Sequence, residues 1–166
     1  MKITKNKGMY LESVLKNSIE YYEMHKIALI RKQTVPIKIT KVTHKEVVGT
    51  LTNKCDVDYY GIYEGRFVAI EAKQTKEIFF DKSNILEHQM QFLKQIKDFK
   101  GLAYLIIYFQ SNQHFYLIDY EIFEKKILSK KKSNRIKETW FQDNCHYLDL
   151  IYPGRLDFIK FIKHKK

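Results

Sequence analysis

The stretch that decides the fold is DVDYYGIYEGRFVAIEAK, Asp56 to Lys73. Two runs rich in β-branched and aromatic residues, Asp56–Tyr63 and Arg66–Lys73, flank the dipeptide Glu64-Gly65, which predicts a hairpin with a two-residue loop. In that register Tyr63 faces Arg66, so Asp58 lies opposite Glu71 and Asp56 opposite Lys73. Side chains alternate along a strand, so all four project from one face at the open end of the hairpin.

Like charges placed opposite each other destabilise a strand pair. Asp58 facing Glu71 therefore needs a cation, and Lys73 supplies only one. Oxygen donors at this density suit a hard ion such as Mg²⁺ or Mn²⁺. Carboxylates that hold such an ion, with an ammonium beside the reacting group, are what metal-assisted phosphodiester hydrolysis requires. Glu71 also closes the apolar run Phe67-Val68-Ala69-Ile70, where an acidic residue is costly unless used. Solvated charges at an exposed hairpin end are the plainer reading of any single E-x-K triplet.

Outward from the hairpin the pattern is helix, strands, helix, strands, helices. A helix is expected from Met9 to Tyr22, with strands at Ile27–Arg31 and Val35–Lys41. The polar segment to its C-terminal side, about 40–54, is expected to protrude as a stalk-like loop or hairpin. A second helix is read from Asn84 to Lys100, stopped by Gly101. Gln89 falls on its apolar stripe with Ile85, Phe92, Leu93, Ile96 and Phe99, either satisfying buried backbone or lending an oxygen to a metal. Leu102–Phe109 (LAYLIIYF) is apolar throughout, as for a strand covered on both faces. His114–Ile118 returns as a strand, and Tyr120–Ser129, Asn134–Phe141 and Asp157 onward read as helices. The fold class is α/β, a mixed sheet flanked by helices, in a single domain over 1–166.

Of the chain's 166 residues 45% are hydrophobic, enough for a core without disulfides. Cys55 and Cys145 have no metal-ligand spacing, so reduced thiols in a cytoplasmic protein are expected. The longest apolar run is too short to cross a membrane. A net charge of +11 favours polyanionic partners, although a lysine-rich codon bias produces the same figure. Two basic clusters, one holding Lys130, Lys131, Lys132 and Arg135 and the other Lys160 and Lys163, are candidates for tracking DNA phosphates. Tyr59, Tyr60 and Tyr63 are strand aromatics, read as core rather than as base-stacking platforms.

The hairpin resembles the core of the PD-(D/E)-x-K nuclease superfamily, whose fold is the restriction-endonuclease-like mixed sheet. More closely, the chain is similar to the RecU-type Holliday junction resolvases. The likeness extends to NKGMYLE (Asn6–Glu12), RKQTVPI (Arg31–Ile37), EHQ (Glu87–Gln89), GLAYLII (Gly101–Ile107) and YPGRLDFIK (Tyr152–Lys160), in the family's order. The resemblance implies metal-coordinating Asp58 and Glu71, a transition-state-stabilising Lys73, and Gln89 at the metal site. Asp56 stands where the family has threonine as a further metal contact, and Glu12 matches an acidic residue of the first helix. It also implies a Mg²⁺-dependent endonuclease that nicks four-way DNA junctions symmetrically in recombination and repair. A homodimer, and contacts with recombinase or branch-migration proteins, would follow. A non-catalytic junction-binding or strand-annealing protein, or a duplex nickase on the same fold, is the competing expectation.

Overall fold

The computed structural model describes residues 9–51, 55–129 and 133–162. Helix α1 (Met9–Met24) leads into β1 (Leu29–Lys32), β2 (Ile37–Val42), β3 (Val47–Leu51), β4 (Tyr59–Tyr63), β5 (Arg66–Thr75) and β6 (Phe79–Asp81). A 3-10 turn precedes α2 (Glu87–Asp98), which is followed by β7 (Leu102–Phe109), β8 (His114–Asp119) and α3 (Tyr120–Leu128). The remainder is β9 (Arg135–Lys137), α4 (Glu138–Asn144), β10 (His146–Leu148), β11 (Leu150–Ile151) and β12 (Arg155–Leu156).

Six strands form the main sheet in the order β1-β4-β5-β7-β8-β10. Only β5 and β7 run parallel, because α2 carries the chain from one to the other; the remaining pairs are antiparallel. All eight residues of β7 are buried, as its unbroken apolar sequence requires of a strand covered on both faces. On one face Leu11, Leu15 and Tyr22 of α1 pack with Val68, Ile70, Tyr104 and Ile106. On the other, Leu93 of α2, Phe123 of α3 and Phe141 of α4 pack with Ala69, Leu105, Ile107 and Phe109. The mixed sheet with helices on both faces is the expected α/β, restriction-endonuclease-like architecture.

The β4–β5 hairpin has the expected register, from Tyr63↔Arg66 to Tyr59↔Ile70. Glu64 and Gly65 both have positive φ, 48° and 75°, which is the turn geometry that matches strand twist in a two-residue loop. Gly61 lets β1 approach β4: a Cβ there would meet the Leu29 carbonyl oxygen at 2.0 Å.

Several elements differ from expectation. The protruding segment is a hairpin of β2 and β3 whose register shifts between Ile39 and Lys41, and it begins earlier, at Ile37. β2 is exposed along its whole length. Helix α2 starts at Glu87 rather than Asn84, since Lys82–Asn84 form the 3-10 turn. Residues 135–137 are a strand, not a helix, because Ile136 pairs with Phe80 and both are buried. No helix follows Asp157 among the described residues, only a 3-10 turn at Ile159–Phe161. Its apolar spacing serves to bury Phe158, Ile159 and Ile162 against α1.

Hydrogen bonds fix that last segment. The Tyr22 hydroxyl donates to the Leu156 carbonyl at 2.8 Å and accepts from the Ile159 N–H at 3.3 Å. The Ser18 hydroxyl accepts from the Leu156 N–H at 2.8 Å. Both cysteines are free and half-buried, and burial pushes the Cys145 thiol up to about 12. No helix among the described residues is long and apolar enough to cross a membrane.

Candidate active site

Glu71 lies fully buried in β5, under α2. Strand periodicity turns it and Lys73 toward the same face. The Lys73 ammonium is 2.8 Å from Glu71 Oε1. Gln89, in the first turn of α2, donates from Nε2 to the same oxygen at 2.6 Å. Glu71 Oε2 is buried and has no hydrogen-bond partner.

The ladder ends at Tyr59↔Ile70, yet Asp58 stays at the hairpin end. Its Oδ2 accepts the Ala72 N–H at 2.9 Å, and its backbone carbonyl accepts the Gln33 N–H at 2.8 Å. Burial and then the Asp58 carboxylate push the Glu71 carboxyl up to about 7, with Lys73 opposing them. Asp58, Glu71, Lys73 and Gln89 are thus brought together.

Asp56 is not. The expected pairing of Asp56 with Lys73 is absent, because residues 55–58 leave the ladder and bond Gln33 instead. Asp56 is exposed on a bend, and among the described residues no group of three or more acidic, histidine or cysteine side chains is gathered for a metal. Gln89 presents its N–H to Glu71, while its Oε1 accepts the Leu86 N–H at 3.0 Å at the start of α2. His88, beside it, faces the Cys55 carbonyl at 3.2 Å.

A divalent cation fits the donors that are present. The orphaned Glu71 Oε2 and the Asp58 carboxylate are hard oxygen ligands, and Mg²⁺ needs only one or two protein carboxylates besides water and phosphate. An unsatisfied buried carboxylate oxygen is costly unless a partner arrives.

On the α1 side of Asp58 lies a cavity of about 210 Å³ lined also by Glu12, Lys32 and Gln74. Glu12 and Lys32 form an ion pair at 2.5 Å. Gln74 Oε1 is buried without a partner. Sequence reasoning placed Glu12 near the site but passed over Lys32 and Gln74. The signal was available: residue 74 points to the opposite face from Lys73.

Of the basic candidates, Lys130, Lys131, Lys132 and Lys163 lie outside the described residues. Arg135 is on β9 with its guanidinium 4.4 Å above the Phe79 ring, and Lys160 lies 4.9 Å above Phe161. A wider cleft, about 890 Å³, contains Arg66, Lys97, Lys100 and Lys125. Arg66 opens β5, so that cleft begins about 17–23 Å along the strand from Glu71 and Lys73.

An acidic pair and a lysine at the open end of a hairpin, followed by a crossover helix and a parallel strand, form the arrangement expected of the restriction-endonuclease-like nucleases. Within it, the chain belongs to the RecU family, described as Recombination protein U, whose model matches residues 6–164. It is similar to the Holliday junction resolvase RecU of Mycoplasmopsis pulmonis, 35% identical over 162 residues that cover 97% of this chain and 96% of that one. The Holliday junction resolvase RecU of Ureaplasma parvum is 33% identical over 162 residues, covering 98% and 95%. A solved structure of Archaeoglobus fulgidus Hjc, a Holliday junction resolvase, aligns with a TM-score of 0.43 and 13% identity over 75% of this chain and 89% of that one.

Proposed function

We propose that this chain is a Holliday junction resolvase, a divalent-metal endonuclease that nicks four-way DNA junctions during recombination and repair in the cytoplasm. The observation that carries the reading is the buried Glu71 carboxylate, held by Lys73 and Gln89 at one oxygen and left open at the other, facing Asp58. Asp58 and Glu71 would hold Mg²⁺ or Mn²⁺, which would supply positive charge at a phosphate oxygen and acidify a water.

The protein's own groups do the rest. Gln89 and Lys73 fix the Glu71 rotamer, and the Ala72 N–H fixes Asp58. Lys73 is partly exposed, so its ammonium can face the charge that builds on phosphate during attack. The expected ends are a 5′-phosphate and a 3′-hydroxyl. Asp56, exposed on a bend outside the ladder, supplies no ligand from it. The basic clusters around Arg135 and Lys160 contribute phosphate contacts that carry little sequence information. A junction offers two equivalent strands, so paired nicks call for a two-fold homodimer with one site per copy. Contacts with recombinase or branch-migration proteins belong to the same reading.

The test is incubation of the purified protein with a mobile four-way junction and with linear duplex of the same sequence, with Mg²⁺. Paired symmetric nicks in the junction alone support the reading. Tight junction binding without nicking replaces it with a binding protein, and equal cutting of duplex with a general nuclease.

A further inference from the structure

At the end of the sheet away from Glu71, several elements begin or stop around one cleft. β5 starts there with Arg66, β8 ends there with Asp119, and the end of α2 and the turn after it bring Lys97 and Lys100. Helix α3 adds Ile122 and Lys125. The cleft holds about 890 Å³, a size that takes a small ligand or a short run of peptide. Its floor is apolar. Tyr104 and Leu117 rise from the sheet, Ile122 lies 41% exposed on α3, and the Phe161 ring stacks on His146 at 4.8 Å.

The rim is cationic. Lys97 is occupied within the fold, 3.2 Å from both Asp119 and Glu121. The Arg66 guanidinium donates to the carbonyls of Lys100 and Gly101, main-chain groups that leave its charge in place. Lys100 and Lys125 make no ion pair among the described residues. Cations therefore outnumber carboxylates in the lining, above an apolar floor. A surface that tracks DNA phosphates is polar throughout, and such a floor offers a phosphate nothing. β10, the last strand of the main sheet, starts at the cleft with His146, and the main chain of an edge strand can pair with an extended peptide.

We propose that this cleft binds an acidic peptide of a partner protein, with apolar side chains seated on Tyr104, Leu117 and Ile122 and carboxylates toward Lys100 and Lys125. Charge complementarity selects the occupant. A carboxylate beside lysine in a sheltered cleft gains more than at an open surface, and burial of the apolar side chains adds to it. The cleft begins about 17–23 Å along β5 from Glu71 and Lys73, so a bound partner leaves the acidic pair open to DNA. Peptide binding here is independent of which DNA the site cuts.

The experiment is fluorescence anisotropy, without DNA, of a labelled hexapeptide of alternating acidic and apolar residues, ELDFEL, beside KLKFKL and ESDSES. The proteins are wild type, the double variant Lys100→Glu with Lys125→Glu, Ile122→Ser, and Lys26→Glu as a remote charge control. Circular dichroism melts check folding. Wild type and control should bind ELDFEL about 10-fold or more tighter than the other two peptides. The double variant and Ile122→Ser should each lose about 10-fold with unchanged melts. The double variant should also gain affinity for KLKFKL, which a loss of folding cannot produce. No binding of ELDFEL to wild type, or variants that bind it as wild type does, overturns the proposal. Equal binding of ESDSES overturns it too, since attraction to a basic chain would then suffice. So does a double variant that keeps ELDFEL but loses affinity for a four-way junction, which would make the cleft a DNA face.

Discussion

The Gln89 amide joins Glu71 to the start of α2: Nε2 donates to Glu71 Oε1 at 2.6 Å while Oε1 accepts the Leu86 N–H at 3.0 Å. One side chain thereby sets both the carboxylate rotamer and the helix that covers it. Gln89→Leu removes both bonds, leaving a buried acceptor and an uncapped N–H. It should cost about 1–3 kcal/mol in a urea titration, and junction cutting should fall more than junction binding. Equal losses in the two would contradict this division of roles.

The metal-free protein should lose stability as pH rises from about 4.5 to about 7. Glu71 is raised to about 7 in the fold, against 4.5 for an unperturbed carboxyl. In that window the folded state keeps a proton that the unfolded state releases, so each step upward favours unfolding. Below the window both states are protonated, and above it the loss is complete, at about 3 kcal/mol. Urea midpoints in chelator at pH 5 and pH 8 measure it for wild type and Glu71→Gln. The slope particular to wild type should vanish in the variant, and added Mg²⁺ should recover stability at pH 8.

Asp58→Asn and Lys73→Ala should each reduce cutting of a four-way junction by about 100-fold or more, while binding measured in Ca²⁺ changes by only a few fold. The two residues act on charge at the scissile phosphate, whereas affinity comes from distributed basic contacts. A variant that loses binding in proportion to cutting would place the residue in substrate capture instead.

Gly61→Ala should be among the most damaging single changes. The added Cβ would meet the Leu29 carbonyl at 2.0 Å and the Ile30 Cα at 2.7 Å, both backbone, so β1 must move off β4. A loss of about 3 kcal/mol is expected by thermal melting, against about 1 kcal/mol for Gly65→Ala, where positive φ is the only cost.

The hairpin was legible because its information is local. Alternation fixed which side chains share a face, and Glu64-Gly65 fixed the register, so Asp58, Glu71 and Lys73 could be brought together from the sequence. Asp56 escaped because the ladder ends one residue beyond Asp58, at Tyr59, through bonds to Gln33, just past the end of β1. Ile136 was read as helical because nothing local shows that Phe80 waits opposite it. The terminal segment misled for the same reason: Phe158, Ile159 and Ile162 keep helical spacing, but Ser18 and Tyr22 capture the backbone before a helix can continue. Tyr60 was read as core with its neighbours; Tyr59 is buried but Tyr60 is not, because α2 stops short of β4.

The bonds from Ser18 and Tyr22 to Leu156 and Ile159 span up to 138 positions of chain. Helix α1 meets the main sheet through Leu11, Leu15 and Tyr22, but the part of its face that Ser18 and Tyr22 present is closed only by residues 156–162. Non-local closure of this kind is slow and comes late. A chain cut short before residue 156 therefore keeps its sheet but leaves that strip of α1 bare, a form that chaperones and proteases can reach.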